Sequence, residues 1–193
     1  VDTELRIRYS GAALSQYPTG GHMPEPTLAP ARCRAVYAGS FDPLTNGHLW
    51  LIEQAARMFD LTVVVATNAA KRPMFSAEDR AAIIRDATID LEHVIVEILP
   101  SDQFLARFAR ARHAQFLVRG LRNVADLEAE RVMQDLHRRQ FYIETTFLMG
   151  PSEVLNISSS FVRGFLGLQG WEEVVRTMVP AATLDARRTK VTP

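Results

Sequence analysis

From residue 34 onward, short apolar runs, most of them rich in β-branched residues, alternate with longer stretches of helical period. The runs lie at residues 35–38, 62–66, 94–98, 115–118 and 145–149 and read as strands. Residues 49–59, the stretch opened by Ser76-Ala77-Glu78-Asp79, and residues 104–112 and 124–139 read as helices between them. Ser76 stands as an N-cap, with acidic residues in the first turn behind it. Strands alternating with helices specify right-handed βαβ units and a parallel sheet. The expected fold is α/β: a Rossmann-like doubly wound parallel sheet in a single domain with C-terminal helices. Phe161, Phe165, Leu168, Trp171, Val174, Val175 and Met178 continue a helical spacing up to Pro180.

The first 32 residues read differently. Pro18, Pro24, Pro26, Pro30 and the pair Gly20-Gly21 break any period, and Gly21-His22-Met23 resembles the scar of a cloning vector. Residues 1–32 are therefore expected to be a disordered or vector-derived leader, with residues 1–30 dispensable for catalysis. Residues 33–180 form the domain, and residues 181–193 are a C-terminal tail, frayed from Arg187. The 22 basic residues balance 22 acidic ones, so no global field draws the chain to nucleic acid or membrane, and any basic site is local. Cys33 is the only cysteine, which excludes an internal disulfide and a multi-cysteine zinc site and fits a reducing cytoplasm. No apolar run approaches the length of a membrane span, and the N-terminal residues lack the order of a secretory signal.

Four junctions carry chemistry. Gly39-Ser40-Phe41-Asp42-Pro43-Leu44-Thr45-Asn46-Gly47-His48 joins the first strand to the first helix. Such a junction aims backbone N–H groups and a helix N-terminus at one spot, which suits phosphate. His48 faces that spot and can donate to a phosphoryl oxygen as charge builds on it. Asn68-Ala69-Ala70-Lys71-Arg72-Pro73-Met74-Phe75 puts two cations after the second strand. Arg119-Gly120-Leu121-Arg122 puts two guanidiniums after the fourth, around a glycine that permits a tight turn. Glu130 follows on the next helix as an acceptor for a ligand hydroxyl or amine. Ile157-Ser158-Ser159-Ser160 offers three hydroxyls at a helix start. Each stretch has a bland reading as well: a capped helix, a solvated loop, unliganded surface arginines, an over-provided N-cap. Their joint placement beyond strand ends, where a parallel sheet binds ligands, favours a site. There is no G-x-x-x-x-G-K-[ST] or G-x-G-x-x-G motif and no nucleophile elbow. No set of residues has metal-ligand spacing, so a metal would arrive with a nucleotide.

In order and spacing, GSFDPLTNGH, KRPMF, RGLRNVADLE and ISSS resemble the motifs of bacterial phosphopantetheine adenylyltransferases. These belong to the nucleotidyltransferase superfamily with HxGH motifs, here in the TxGH form Thr45-Asn46-Gly47-His48. The resemblance covers residues 34–178. It implies transfer of AMP from ATP to 4′-phosphopantetheine, Mg2+ entering with ATP, a cytoplasmic setting and a hexamer. It further implies that His48 stabilises the α-phosphoryl transition state. Lys71 and Arg119 hold the acceptor phosphate, with Lys71 also near the α-phosphate. Ser40 contacts acceptor and ATP, and Leu105 the pantetheine arm. Phe41, Gly120, Leu121, Arg122 and Glu130 contact ATP, while Ile157, Ser158, Ser159 and Ser160 close over its pyrophosphate portion. Ala129, His137 and Val154-Leu155-Asn156 depart from the family pattern around the nucleotide loop and arm pocket. These departures keep open a sister enzyme using another phosphorylated acceptor, or CTP. A nucleotide-binding regulatory module without turnover is the third reading, and the intact Ser40, His48, Lys71, Arg119 and Arg122 argue against it.

Overall fold

The computed structural model of the chain describes residues 32–67 and 72–191. β1 (Arg34–Gly39) leads into α1 (Asn46–Met58), β2 (Asp60–Val65) into α2 (Ala77–Ala87), β3 (Val94–Ile98) into α3 (Leu105–Ala111), and β4 (Phe116–Leu121) into α4 (Val124–Phe141). β5 (Glu144–Met149) follows, then α5 (Ser152–Leu155), α6 (Ser159–Arg163), α7 (Trp171–Val175) and α8 (Ala181–Val191). All pairings are parallel, in the order β3-β2-β1-β4-β5. From β1 in mid-sheet the path winds outward to β3, then crosses to the other side of β1. The winding reverses between β1 and β4, and a crevice opens at their carboxyl ends.

Alternation along the strands covers both faces, as a parallel sheet requires. Ala35 and Tyr37 of β1 pack with Ile52 and Ala55 of α1 and Ile84 of α2. Val36 and Ala38 point the other way, to Ala106, Phe108 and Ala109 of α3. Ser76 caps α2 as its sequence predicts: its hydroxyl accepts the Asp79 N–H at 3.0 Å, and the Asp79 carboxylate accepts the Ser76 N–H at 3.2 Å. Among the described residues no helix is long and apolar enough to cross a membrane.

Several expectations are corrected. Gly120 is not in a turn: β4 continues through it, with Gly120 opposite Leu148 and Leu121 opposite Met149 of β5. Its glycine serves close packing instead, because a Cβ there would come within 2.4 Å of Leu51 Cδ1 on α1. The helical stretch after Ser160 is two short helices, α6 and α7, since Gly164, Gly167 and Gly170 interrupt it. Residues 181–191 are not a frayed tail. They form α8, in which Thr183 and Leu184 are buried, Ala182 and Ala186 pack on the core beside α2, and Thr183 Oγ1 donates to Leu44 O at 3.1 Å. Arg32, assigned to the leader, already belongs to the fold: it donates to Phe59 O at 3.0 Å and pairs with Asp60 at 3.3 Å. The remaining expectations for residues 1–31 lie outside the described residues.

Leu184 belongs to a small cluster with Val162, Val175 and Val179. Leu184→Ala is expected to lower unfolding free energy by about 2–4 kcal/mol in urea titration. An unchanged midpoint would restore the tail reading.

Candidate functional site

The site is built on the junction after β1. Thr45 is the N-cap of α1, and its hydroxyl accepts the His48 N–H at 3.4 Å. In return the Thr45 N–H donates to His48 Nδ1 at 3.2 Å. A capping box of this form satisfies two orphan donors of the helix end. It also fixes the imidazole tautomer: with Nδ1 accepting, the ring proton sits on Nε2, ready to donate. Burial pulls the His48 pKa down to about 4, and the nearby Arg122 charge adds to the shift. The ring is therefore a neutral donor at pH 7. The bond that caps the helix thus also sets the ring's donor. Phe41 lies wholly buried beneath it, edge-on to His48 at 5.2 Å and to Tyr37 at 5.4 Å. It packs the ring in place and does not reach either cleft wall.

Two clefts meet at His48 and Ser158. The first, about 340 Å3, lies over the β1–β4 crevice and is lined by Leu51, Arg119, Gly120, Leu121, Arg122 and Glu130, with Ile157 and Ser158 on the far wall. The second is lined by Ser40, Arg72, Arg80, Ser159, Ser160 and Arg163. Ser40 is exposed there. Gly47 lets the two walls close up, since a Cβ on it would lie 2.9 Å from Val154 O.

The guanidiniums of the first cleft are each aimed by a carboxylate. Arg119 forms a two-pronged pair with Glu130, with Nε at 3.0 Å from Oε2, and reaches Ala38 O at 3.4 Å. Arg122 is held the same way by Asp126, at 2.9 and 3.1 Å. Asp126 also accepts the Arg122 N–H at 3.0 Å, and these bonds hold its carboxyl below the usual range. His137 senses the first of these pairs. Burial lowers its pKa and Arg119 lowers it further, against Glu130. Ala129, a second departure from the family pattern, lines the first cleft.

The serine loop is tied to the β1 junction. Ile157 O accepts from Thr45 Oγ1 at 3.2 Å, and Ser159 Oγ donates to Pro43 O at 2.8 Å. Ser158 is the N-cap of α6, accepting the Phe161 N–H at 3.1 Å, and Ser160 accepts from Arg163 at 3.2 Å. Leu105 is not brought to the site: half-buried, it packs against the core cluster around Phe108. Lys71 lies outside the described residues.

Sequence reasoning missed two supports. Asp42 is buried, and its carboxylate accepts the Met74 and Phe75 N–H groups at 2.9 and 3.0 Å, anchoring the segment after β2 to the β1 junction. Arg80 is buried among Ala81, Ile83 and Ile84 on the inner face of α2. A cation on the apolar face of an amphipathic helix was the available signal.

The profile of the cytidylyltransferase-like family matches residues 36–165. Phosphopantetheine adenylyltransferase of Chromobacterium violaceum is 43% identical over 152 residues, 76% of this chain and 90% of that protein. The protein of the same name from Neisseria meningitidis serogroup C is 41% identical over 154 residues, 79% of this chain and 90% of its own. Among solved structures, Plasmodium falciparum nicotinic acid mononucleotide adenylyltransferase complexed with NaAD superposes with a TM-score of 0.62 at 16% identity, covering 83% of this chain and 97% of that one, a likeness of fold.

In the free protein His48 is expected to stay neutral through mildly acid pH and to titrate near pH 4, against about 6.5 for an ordinary histidine. A depressed folded-state pKa means that only the unfolded chain protonates first. His48 therefore costs stability as pH falls through the window from the ordinary value to the folded one, and His48→Gln should lessen that acid sensitivity. Histidine ring NMR checks it, and an ordinary midpoint for His48 would overturn it.

Proposed function

The chain belongs to the phosphopantetheine adenylyltransferase family of cytidylyltransferase-like proteins, and on that premise we propose how its own residues serve the family's reaction. It is a nucleotidyltransferase of coenzyme A biosynthesis that transfers AMP from ATP to 4′-phosphopantetheine, giving dephospho-coenzyme A and pyrophosphate. The observation that carries the assignment of roles is the Nε2–H donor of His48 at the meeting of the two clefts. The nucleotide takes the first cleft and the acceptor phosphate the second. An oxygen of the acceptor phosphate attacks the α-phosphorus directly, the bond to the β-phosphate oxygen breaks, and pyrophosphate leaves with the electron pair. Negative charge builds on the α-phosphoryl oxygens, and His48 donates to one of them. No covalent intermediate forms, so catalysis is positioning plus charge stabilisation.

Arg122, aimed by Asp126, grips ATP beside the Gly120 and Leu121 backbone. Ser40 and, by resemblance, Lys71 take the acceptor phosphate in the second cleft, and Arg119 reaches it from the first where the two clefts meet, with Lys71 also near the α-phosphate. Glu130 combines its ATP contact with holding the Arg119 fork flat. The loop from Ile157 to Ser160, which runs from the first cleft into the second, covers the departing pyrophosphate where the two meet. Phe41 acts from below, through His48, and Leu105 is assigned to the pantetheine arm on resemblance alone.

Among the described residues no group of three or more His, Cys, Asp or Glu can hold a metal ion. Mg2+ in this reading comes with the nucleotide phosphates, whose charge it neutralises. The enzyme is read as a cytoplasmic homo-oligomer, a hexamer by family resemblance. Supporting this are the exposed free thiol of Cys33 and the bare apolar side chains of Val132, Met133 and Leu136 along α4.

The test is pyrophosphate release and product mass from ATP plus 4′-phosphopantetheine, with and without Mg2+. Mg2+-dependent release of dephospho-coenzyme A is expected. Binding without release, or turnover only with another acceptor or with CTP, would overturn the reading. His48→Ala is expected to lower kcat by about a hundred- to a thousandfold, roughly 3–4 kcal/mol, with little change in KM for ATP. Near-normal kcat with weakened ATP binding would remove His48 from the transition state.

A further inference from the structure

Arg80 is only 3% exposed, yet it has no carboxylate partner among the described residues. A buried charge without a counter-ion is costly, and proteins ordinarily pair it. Here the guanidinium is satisfied by four backbone carbonyls. Nη1 donates to Ser40 O at 2.7 Å and to Ala66 O at 3.2 Å, while Nε donates to Phe75 O at 3.1 Å and to Ser76 O at 3.2 Å. Those carbonyls belong to the exits of β1 and β2 and to the entry of α2. One side chain therefore sets the spacing of the two loops that bring Ser40 and Arg72 to the second cleft. The remaining amino group, Nη2, has no hydrogen-bond partner among the described residues, and Arg80 forms part of that cleft's wall.

The cleft as a whole points to an anion. Its described lining carries the guanidiniums of Arg72, Arg80 and Arg163 and a single carboxylate, Asp42. That carboxylate is already engaged by the Met74 and Phe75 N–H groups and by Arg163 at 3.7 Å. Carbonyl oxygens solvate the Arg80 charge but do not neutralise it. Its missing counter-ion matches a phosphate monoester entering from the open side.

We propose that Arg80 is a positioning residue for the acceptor phosphate: it pins the β1 and β2 exits in the register that presents Ser40, and its uncompensated charge makes the second cleft selective for a phosphate monoester. This rests on the reading that the enzyme adenylylates 4′-phosphopantetheine. A clamp that served only the fold would lower the melting temperature of variants and leave ligand preference in the folded protein unchanged.

The test uses the full chain, with Arg80→Met and Arg80→Lys beside the parent. Calorimetry compares 4′-phosphopantetheine with unphosphorylated pantetheine, and steady-state kinetics follows both substrates. Arg80→Met is expected to lose about ten- to a hundredfold in affinity for 4′-phosphopantetheine, as for removal of a charged hydrogen-bonding group. Pantetheine affinity and KM for ATP should stay close to those of the parent. Arg80→Lys, which keeps the charge but cannot span four carbonyls, should recover much of the phosphate preference while kcat stays low. A folded Arg80→Met that binds 4′-phosphopantetheine like the parent, or loses both acceptors equally, overturns the proposal. Should Arg80→Met not fold, parent-like kcat and KM in Arg80→Lys overturn it instead. A parent enzyme silent with ATP and 4′-phosphopantetheine defeats the assigned reaction and this inference together, whereas an active parent with indifferent variants defeats this inference alone.

Discussion

Because every strand of the sheet runs the same way, every connection must cross one of its faces and every carboxyl end opens on the same edge. That constraint organises the rest. The two faces need cover, which α1 and α2 supply on one side and α3 on the other. The reversal of winding between β1 and β4 leaves a crevice no crossover can fill. The β1–α1 junction, the Arg119–Arg122 segment and the serine loop all converge there because topology gives them nowhere else to go.

Within the crevice, bonds that stabilise the fold also set the donors of the proposed site. The reciprocal bond between Thr45 and His48 caps α1 and at the same time leaves Nε2–H as the donor. Glu130 and Asp126 satisfy Arg119 and Arg122 and also fix the planes of their forks. Such pre-set donors need no reorganisation as charge develops, which is the property electrostatic catalysis depends on. Asp42 and Arg80 lie beneath and hold the loops that carry the cleft residues, Arg80 while also lining the second cleft.

How much was legible from residues alone follows the range of the forces involved. The strands and long helices could be read because their periods are local. The Ser76 cap was legible for the same reason, its partner Asp79 lying three residues away. Gly120 reads as a turn residue in the sequence but lies within β4, where its close neighbour is Leu51 on a helix distant in sequence. The α8 segment looks like a tail in the sequence, because its weak amphipathic pattern acquires meaning only against α2 and Leu44. Phe41 sits within the most recognisable motif, yet its ring turned out to be packing, wholly buried beside Tyr37 and His48.

The parallel α/β architecture, the four junction motifs and the family to which they belong are written in contiguous residues, because period, caps and motif spacing are local properties. The folded arrangement alone sets which nitrogen of His48 carries the proton, aims Arg119 and Arg122 each by a carboxylate on α4, and brings two clefts together at His48 and Ser158. It alone placed the Arg80 charge among four carbonyls from three separate segments. Burial and hydrogen-bond direction depend on which distant segments are brought within 3 Å or so of each other, and no local pattern encodes that.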